Sequence, residues 1–194
     1  MSESRVTGRP RSESSKTAIL SAAFDLLTER GYADFALEAV AARAGVGKST
    51  IYRWWPGKAA LAVDAFFEAT ETDLRFPDTG TAEGDFRAQI TQLATLLNGV
   101  RGRAFAAMLG GARTDPALAK TLGERWLAPR RAWGVARMAR AATDGDLLPE
   151  TPTAAALALL YGPLYAPLLF GGDVPDVEAV DAYLELACRG IFRQ

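Results

Sequence analysis

Residues 36–55 read ALEAVAARAGVGKSTIYRWW and contain two amphipathic segments separated by a glycine. Apolar residues in the first segment recur at spacings of three and four, which predicts a helix with one buried face. These residues are Leu37, Val40, Ala41 and Ala44. Gly45 predicts the chain reversal, because a residue without a Cβ adopts positive φ at little cost. Together these features predict a helix-turn-helix.

The second segment presents polar groups on its outer side. Val46 and Ile51 are expected to point inward, which leaves outside Lys48, Ser49, Thr50, Tyr52 and Arg53. The major groove of B-DNA admits an α-helix, where Arg and Lys reach phosphates or guanine edges and hydroxyls bind phosphate oxygens. The pattern therefore predicts DNA binding, although periodicity alone also fits an ordinary pair of packed helices.

The run at 39–58, AVAARAGVGKSTIYRWWPGK, closely resembles the DNA-binding signature of TetR/AcrR-type transcriptional regulators. The specific resemblance covers residues 14–71, and the stretch YGPLY at 161–165 resembles the penultimate helix of some members. The resemblance implies an all-α fold. In it, an N-terminal three-helix helix-turn-helix domain is joined to a larger helical domain for ligand binding and dimerisation.

Roles within the signature follow from this resemblance and from side-chain chemistry. Phosphate contacts are assigned to Lys48, Tyr52 and Lys58. Base-edge contacts are assigned to Ser49, Thr50 and Arg53. Gly47 is expected to allow close approach of the DNA backbone. We also expect Asp34 to replace the capping Thr or Ser that many members carry where this chain has Ala36.

Two adjacent tryptophans end the signature. Trp55 stands where the family usually places a core aromatic residue, so we expect it to be buried. Trp54 stands where a polar or basic residue is frequent. It is open whether Trp54 packs, stacks on a sugar edge or is simply exposed.

Residues 1–13 are predicted to form a flexible basic arm, because they contain Ser, Arg, Pro and Gly without apolar periodicity. Within this arm, GRPR at 8–11 resembles an AT-hook. Arg9 and Arg11 are candidates to enter the minor groove on an extended chain. The alternative is a solvated tail. The DNA-binding domain is expected to cover 14–75.

Charge is distributed unevenly along the chain. Residues 1–60 carry nine Lys and Arg against six Asp and Glu, a net charge of +3, whereas residues 61–194 carry −4. This asymmetry suits a DNA-binding end on an acidic body. Cys188 is the single cysteine and no signal peptide is recognised, so we expect a reducing cytoplasm. Cys188 shares a helical stripe with apolar residues and is expected to be packed.

The loop FPDTGTA at 76–82 separates the two parts, and residues 82–194 are expected to form a helical effector-binding and dimerisation domain. Asp115 and Pro116 predict the start of a long helix. One side of it is expected to carry Leu118, Leu122, Trp126 and Trp133. Pro129 is expected to kink this helix. No strand pattern of useful length occurs.

Residues 153–170 are apolar and uncharged, but they are short for a membrane span and are interrupted by Gly and Pro. We therefore predict no membrane partner and expect this segment to pack against another chain. The resemblance implies a homodimer through the last two helices. Two reading helices in one dimer would recognise a palindromic site in double-stranded DNA.

Aromatic and sulfur-containing residues of the body are candidates to line a small-molecule cavity, although aromatic residues also dominate ordinary cores. The candidates are Phe105, Met108, Trp126, Trp133, Tyr161 and Tyr165. The resemblance implies a repressor that a small-molecule effector of unknown identity releases from its operator.

The composition argues against an enzyme. The chain contains no His and only one Cys, and it lacks nucleotide-binding and hydrolase motifs. We expect no catalytic residues, no metal site and no cofactor. The remaining alternative is a non-catalytic helical protein that binds a small molecule and has no DNA function.

Overall fold

The computed structural model describes residues 9–70 and 76–193, which form ten α-helices and one π-turn. The N-terminal helices are α1 (Arg9–Arg30), α2 (Leu37–Ala44), α3 (Lys48–Trp54) and α4 (Lys58–Glu68). The others are α5 (Ala82–Leu97), α6 (Val100–Ala112), α7 (Pro116–Leu122), α8 (Ala128–Asp144), α9 (Thr153–Leu169) and α10 (Val177–Arg189). Extended pairing within these ranges is limited to one isolated bridge, Leu147 with Phe192. The predicted all-α fold is confirmed.

Helix α1 begins at Arg9, five residues before the predicted start at 14. Pro10 lies in its first turn, where a missing N–H removes no intrahelical hydrogen bond, so proline does not prevent helix formation there. Residues 9–13 are therefore helical and not part of an extended arm. Residues 1–8 lie outside the described residues, and so do the side chains of Arg9 and Arg11.

The first four helices share one core, which fixes the positions of α2 and α3. Ile19 and Leu27 of α1 and Ile51 of α3 are almost completely buried. Trp55, at the end of α3, is only 2% exposed, and its indole N–H donates to Asp64 Oδ2 at 2.9 Å. The predicted core position of Trp55 is confirmed.

Helices α7 and α8 are joined by the π-turn Gly123–Leu127, which forms where one continuous helix with a kink was expected. Leu118, Leu122 and Trp126 share one buried side, but Trp133, which was expected on the same side, is 49% exposed. A π-turn holds more residues per turn than an α-helix and so changes which side later residues face. Pro129 cannot donate to the carbonyl four residues earlier, which lies inside this π-turn.

Helix α9 divides its residues among three sides. Ala156, Leu160 and Leu164 are buried in the core. A second side lines a cavity described below, and a third side is exposed. On α10, the stripe Val180, Leu184 and Cys188 is fully buried, which confirms the predicted packing of Cys188. Among the described residues, no helix has both the length and the hydropathy needed to cross a bilayer.

Candidate nucleic-acid interface and cavity

Helices α2 and α3 form the predicted helix-turn-helix. Gly45 has a φ of +64°, and the N–H of Val46 donates to the Ala41 carbonyl at 3.0 Å, which closes α2. Ile51 is fully buried and fixes α3 to the core. The opposite side of α3 consequently faces away from the protein.

Six of the predicted DNA-binding residues lie together on this side, which we call the α3 face. They are Gly47, Lys48, Ser49, Thr50, Tyr52 and Arg53. Thr50 is half-buried and the other five are exposed. The structure thus places hydrogen-bond donors on the outer surface of a short helix whose inner side is packed against the core.

Lys48 is paired with an acidic residue on α2. Its Nζ lies 2.7 Å from Glu38 Oε1, and both side chains are exposed. The hydrogen bond from Lys48 lowers the pKa of Glu38. Any anion that binds the Lys48 ammonium group therefore has to compete with Glu38.

Trp54 lies at the edge of the α3 face and is 38% exposed. The Arg53 guanidinium carbon lies 5.8 Å from the centroid of its ring, and Lys16 Nζ lies 5.7 Å from it. Both distances permit cation–π attraction. Lys16 was missed from the sequence, because it precedes Trp54 by 38 residues and only the packing of α1 brings it here.

Lys58 begins α4 and is half-buried. Its Nζ donates to the Tyr32 carbonyl at 3.1 Å and lies 4.3 Å from the centroid of the Tyr32 ring. The Tyr32 hydroxyl in turn donates to Asp115 Oδ2 at 2.5 Å, and Asp115 caps α7. This hydrogen bond lowers the pKa of Asp115. Lys58 is therefore held in place by a contact that joins the N-terminal helices to the body.

Helices α2, α3 and α4 begin without side-chain caps. Their N-cap residues are Ala36, Gly47 and Gly57. We expected Asp34 to supply the missing cap of α2, but the N-cap position is Ala36 and no side chain caps this helix. A Cβ added to Gly47 would meet only Ser49 Oγ, at 3.7 Å, and its φ of −75° suits any residue. The protein's own packing therefore does not require glycine at Gly47.

A cavity of about 550 Å³ lies between α8 and α9 in the body. Its walls are Phe76, Gln89, Leu127, Arg130, Arg131, Trp133, Val135, Thr153, Ala154, Leu157, Ala158, Tyr161 and Tyr165. The volume falls within the usual range for small-molecule sites, and the lining combines aromatic and aliphatic groups with a few polar ones.

Three of the six predicted ligand residues line this cavity, namely Trp133, Tyr161 and Tyr165. The other three, Phe105, Met108 and Trp126, are fully buried and do not line it. Trp126 instead packs at a tilt against core rings, with centroids 4.9 Å from Phe66 and 5.0 Å from Phe105. Aromatic composition alone could not separate core rings from cavity rings.

Arg130 and Gln89 are lining residues that sequence reasoning missed. The Arg130 guanidinium carbon lies 3.2 Å from the Trp126 ring centroid, and Nη1 donates to the Trp126 carbonyl at 3.4 Å. Its Nε is buried and has no hydrogen-bond partner within the described residues. Burial lowers the pKa of Arg130 to about 10. The signal that could have identified Arg130 is in the sequence, because no Asp or Glu stands three or four positions away from it on either side.

Gln89 belongs to a polar layer on α5 beneath the cavity. Its Oε1 accepts from the Tyr161 hydroxyl at 2.7 Å. One turn earlier, Asp85 is 3% exposed and accepts from Arg137 Nε at 2.6 Å and from the Thr79 N–H at 2.7 Å. Desolvation raises the pKa of Asp85, but these hydrogen bonds outweigh it and the net pKa is lowered. The pair Asp85–Arg137 fixes α8 to α5.

A continuous series of contacts connects the cavity with α3. Arg130 stacks on Trp126, whose ring lies 5.6 Å from that of Phe67 in α4. The neighbouring Arg125 forms an ion pair with Asp64, also in α4. Asp64 accepts from the Trp55 indole at the end of α3. The π-turn thus contacts α4, and α4 in turn contacts the end of α3.

The last two helices leave apolar residues uncovered. We call these the outer faces of α9 and α10. On α9 and just after it, they comprise Ala155, Leu159, Ala166, Leu169 and Phe170. On α10 they comprise Ala179, Ala182 and Leu186. Phe170 is 87% exposed and Leu186 is 73% exposed.

Comparison with protein families assigns both parts of the chain. Residues 19–65 match the model of bacterial regulatory proteins of the tetR family. Residues 76–187 match the model of the tetracyclin repressor-like C-terminal domain, which covers more than half of the chain.

Individual relatives agree with this assignment. The HTH-type transcriptional regulator YdeS of Bacillus subtilis is 36% identical over 186 residues, which is 96% of this chain and 92% of that protein. The DNA-binding transcriptional repressor TetR of Mycobacteroides abscessus is 40% identical over 86 residues, 43% of this chain and 44% of that protein.

Among solved structures, the TetR family transcription regulator SCO0332 superimposes with a TM-score of 0.74 at 33% identity, covering 91% of this chain and 97% of that chain. The resemblance predicted from residues 39–58 is confirmed. The chain belongs to the TetR family and is a helix-turn-helix transcriptional regulator.

Proposed function

We propose that this regulator is a repressor that a small-molecule effector, bound in the cavity between α8 and α9, releases from its operator. The observation that carries the proposal is the α3 face, a row of exposed donors on a helix fixed to the core at Ile51. The similarity to a relative described as a repressor supports the direction of regulation. The proposal includes no catalytic activity, and DNA as the partner implies a cytoplasmic location.

We assign the DNA-binding domain to residues 14–75 and the effector-binding and dimerisation domain to residues 82–194. In the first domain, phosphates are bound by Lys48, Tyr52 and Lys58. Base edges are contacted by Ser49, Thr50 and Arg53. Gly47 admits a DNA phosphate close to the backbone. Arg9 and Arg11 remain candidates for the minor groove, which they would enter from the start of α1 and not from an extended chain.

The operator is a palindrome read by a homodimer. The outer faces of α9 and α10 supply the contact surface, because apolar side chains such as Leu159, Phe170 and Leu186 gain most from being covered. An isologous contact of two such helix pairs forms a four-helix interface with two-fold symmetry. That symmetry matches the two half-sites of the DNA.

Release by the effector uses the contacts that connect the cavity to α3. A ligand between α8 and α9 displaces Arg130 and the π-turn, and the pair Arg125–Asp64 transmits this displacement to α4. Because Asp64 also holds Trp55, α3 moves with α4. The effector must prefer the arrangement that does not fit the operator, with a coupling free energy of about 1 to 3 kcal/mol.

The test is fluorescence anisotropy of the purified protein on DNA from upstream of its own gene and on a scrambled duplex, at two salt concentrations. We expect a preference for the upstream DNA of about a thousand-fold and a decrease in affinity as salt increases. Equal affinity for both duplexes at low salt contradicts a sequence-specific regulator of that site.

Variants assign the contacts within this assay. Lys48→Ala is expected to weaken binding to both duplexes and to reduce the salt dependence by about one counterion, as loss of a phosphate contact does. Arg53→Ala is expected to cost about 1 to 3 kcal/mol at one base position if it reads a guanine. Unchanged binding by both variants would mean that neither Lys48 nor Arg53 contacts the DNA.

A further inference from the structure

The cavity has a positively charged lining without a negative counterpart. Arg130 and Arg131 both line it, and neither Asp nor Glu is among its lining residues. Arg130 is the inner of the two, because it is half-buried whereas Arg131 is exposed. Within the described ranges, Arg130 forms no ion pair, and its buried Nε has no hydrogen-bond partner.

The surroundings of Arg130 fix its position while leaving a donor available. Three aromatic rings lie within 6.0 Å of its guanidinium carbon: Trp126, Phe67 and Trp133. Stacking on Trp126 removes one side of the guanidinium plane from solvent and restricts its rotation. A planar guanidinium held in this way is well suited to bind a carboxylate or sulfonate through two parallel hydrogen bonds.

We propose that the cavity selects an organic anion, whose acidic group is bound by Arg130 and whose flat apolar body packs against Trp133, Leu157 and Tyr165. This inference rests on the proposed function, because it names the chemical class of the effector. An anion also offsets a cost in the empty protein, since a buried cation without a counter-ion is unfavourable. That cost is reflected in the lowered pKa of Arg130.

The test uses two fluorescent probes that differ in one acidic group. These are 8-anilino-1-naphthalenesulfonate and its neutral counterpart N-phenyl-1-naphthylamine, titrated into the full-length protein. We expect the wild type to bind the anion more tightly than the neutral probe by about ten-fold or more. Equal or tighter binding of the neutral probe overturns the proposal.

Variants locate the selectivity. Arg130→Met, which keeps an unbranched apolar stem but removes the guanidinium group, is expected to lose about ten-fold in affinity for the anion and to keep its affinity for the neutral probe. Arg130→Lys keeps the charge and is expected to retain part of the preference. Arg140→Met, on the same helix but outside the cavity, is the matched control and is expected to bind both probes as the wild type does.

Loss of both probes to the same extent in Arg130→Met overturns the proposal, because a purely structural role of Arg130 predicts that result. An unchanged ratio of the two affinities in Arg130→Met also overturns it. Failure of the proposed function is measured separately, by anisotropy of the wild type on the upstream DNA without any probe.

Discussion

The proposed function assigns the Lys48 ammonium group to a DNA phosphate, but in the structure this group is bound to Glu38. Lys48 Nζ lies 2.7 Å from Glu38 Oε1. Glu38→Gln removes this competitor and a negative charge next to the DNA. We therefore expect tighter DNA binding by about three-fold or more, with a steeper salt dependence. The measurement is an anisotropy titration at several salt concentrations.

The matched control for Glu38→Gln is Glu29→Gln. It also removes one negative charge and breaks an exposed ion pair of the same domain, because Glu29 binds Arg43 with two hydrogen bonds of 2.7 and 2.8 Å. Equal effects of the two variants would mean that only net charge matters. Lys48 would then have no specific contact with phosphate.

Two glycines between α2 and α3 are expected to differ in their response to substitution by alanine, one in stability and the other in DNA affinity. Gly45→Ala places a side chain at a φ of +64° and is expected to cost about 1 kcal/mol of stability. Gly47→Ala meets no obstacle within the protein and is expected to leave the melting temperature unchanged while weakening DNA binding. Circular dichroism melting and anisotropy measure the two effects. Normal DNA affinity of Gly47→Ala would show that no phosphate comes close to this backbone.

The buried pair of Asp85 and Arg137 gives a pH-dependent contribution to stability. Because hydrogen bonds lower the pKa of Asp85 in the folded protein, the pair stabilises fully above the ordinary value of 3.8, and the contribution is lost as pH falls below it. Asp85→Asn leaves Arg137 unpaired and is expected to cost about 3 kcal/mol at neutral pH. Urea unfolding should show this difference shrinking in acid, and a constant difference would contradict the assignment.

Individual side chains could be placed from the sequence where one element determines their environment. Cys188 follows the periodicity of its own helix, and Trp55 stands where the family usually places a core aromatic residue; both are buried as predicted. Contacts between distant residues could not be predicted, because they depend on how helices pack. The pair Arg137–Asp85, 52 residues apart, and the approach of Lys16 to Trp54 are examples.

At the scale of helices, the π-turn Gly123–Leu127 is the element that joins the cavity to α4. Arg125→Met breaks the ion pair with Asp64 but leaves the hydrogen bond between Asp64 and Trp55 possible. We expect nearly normal DNA affinity without ligand and a reduced loss of affinity when the anionic probe is added. Anisotropy with and without the probe measures this coupling.

Arg140→Met is again the control for this coupling, because its exposed pair with Asp144 lies outside the series of contacts. If Arg125→Met responds to a ligand that releases the wild type, and does so to the same extent, the route through Asp64 is wrong. The coupling would then have to pass through other contacts with the body, such as those of Trp126 with Phe66 and Phe67 or the hydrogen bond between Tyr32 and Asp115.

Helix boundaries were predictable where caps and turns have strong local signals, as at Gly45 and at Asp115–Pro116. The π-turn was not, because its backbone conformation is nearly helical and Pro129 indicates only that a hydrogen bond is missing nearby. The consequence is seen at Trp133, which was expected on the same side of the helix as Leu118, Leu122 and Trp126 but lies on another side, at the cavity.

At the scale of the whole molecule, the proposed dimer contact through the outer faces predicts the effect of a charge placed there. Leu159→Asp is expected to convert the dimer into monomers and to weaken operator binding, because each monomer reads only one half-site. Sedimentation equilibrium and anisotropy measure the two effects.

Ala119→Asp is the matched control, since Ala119 is exposed on α7, which packs against α4 and α6. We expect it to sediment as the wild type does. If Leu159→Asp also sediments as the wild type does, the dimer does not form through this side of α9.

The sequence alone indicated that the segment 153–170 was too apolar to remain uncovered, and the outer faces agree with that expectation. It could not show that the same helix also lines the cavity, because that requires the positions of α5 and α8. Leu157 and Tyr161 had the same apolar appearance in the sequence as Leu159 and Leu160.

The three sides of α9 have an evolutionary consequence. Residues such as Ala154, Leu157 and Ala158 line the cavity, whereas Ala155 and Leu159 lie on the outer face, and Leu160 belongs to neither group. Substitutions can therefore accumulate on one side without being selected against on another. A duplicated gene can acquire a new inducer while its product still pairs with the ancestral protein, or can stop pairing with it while keeping the old inducer.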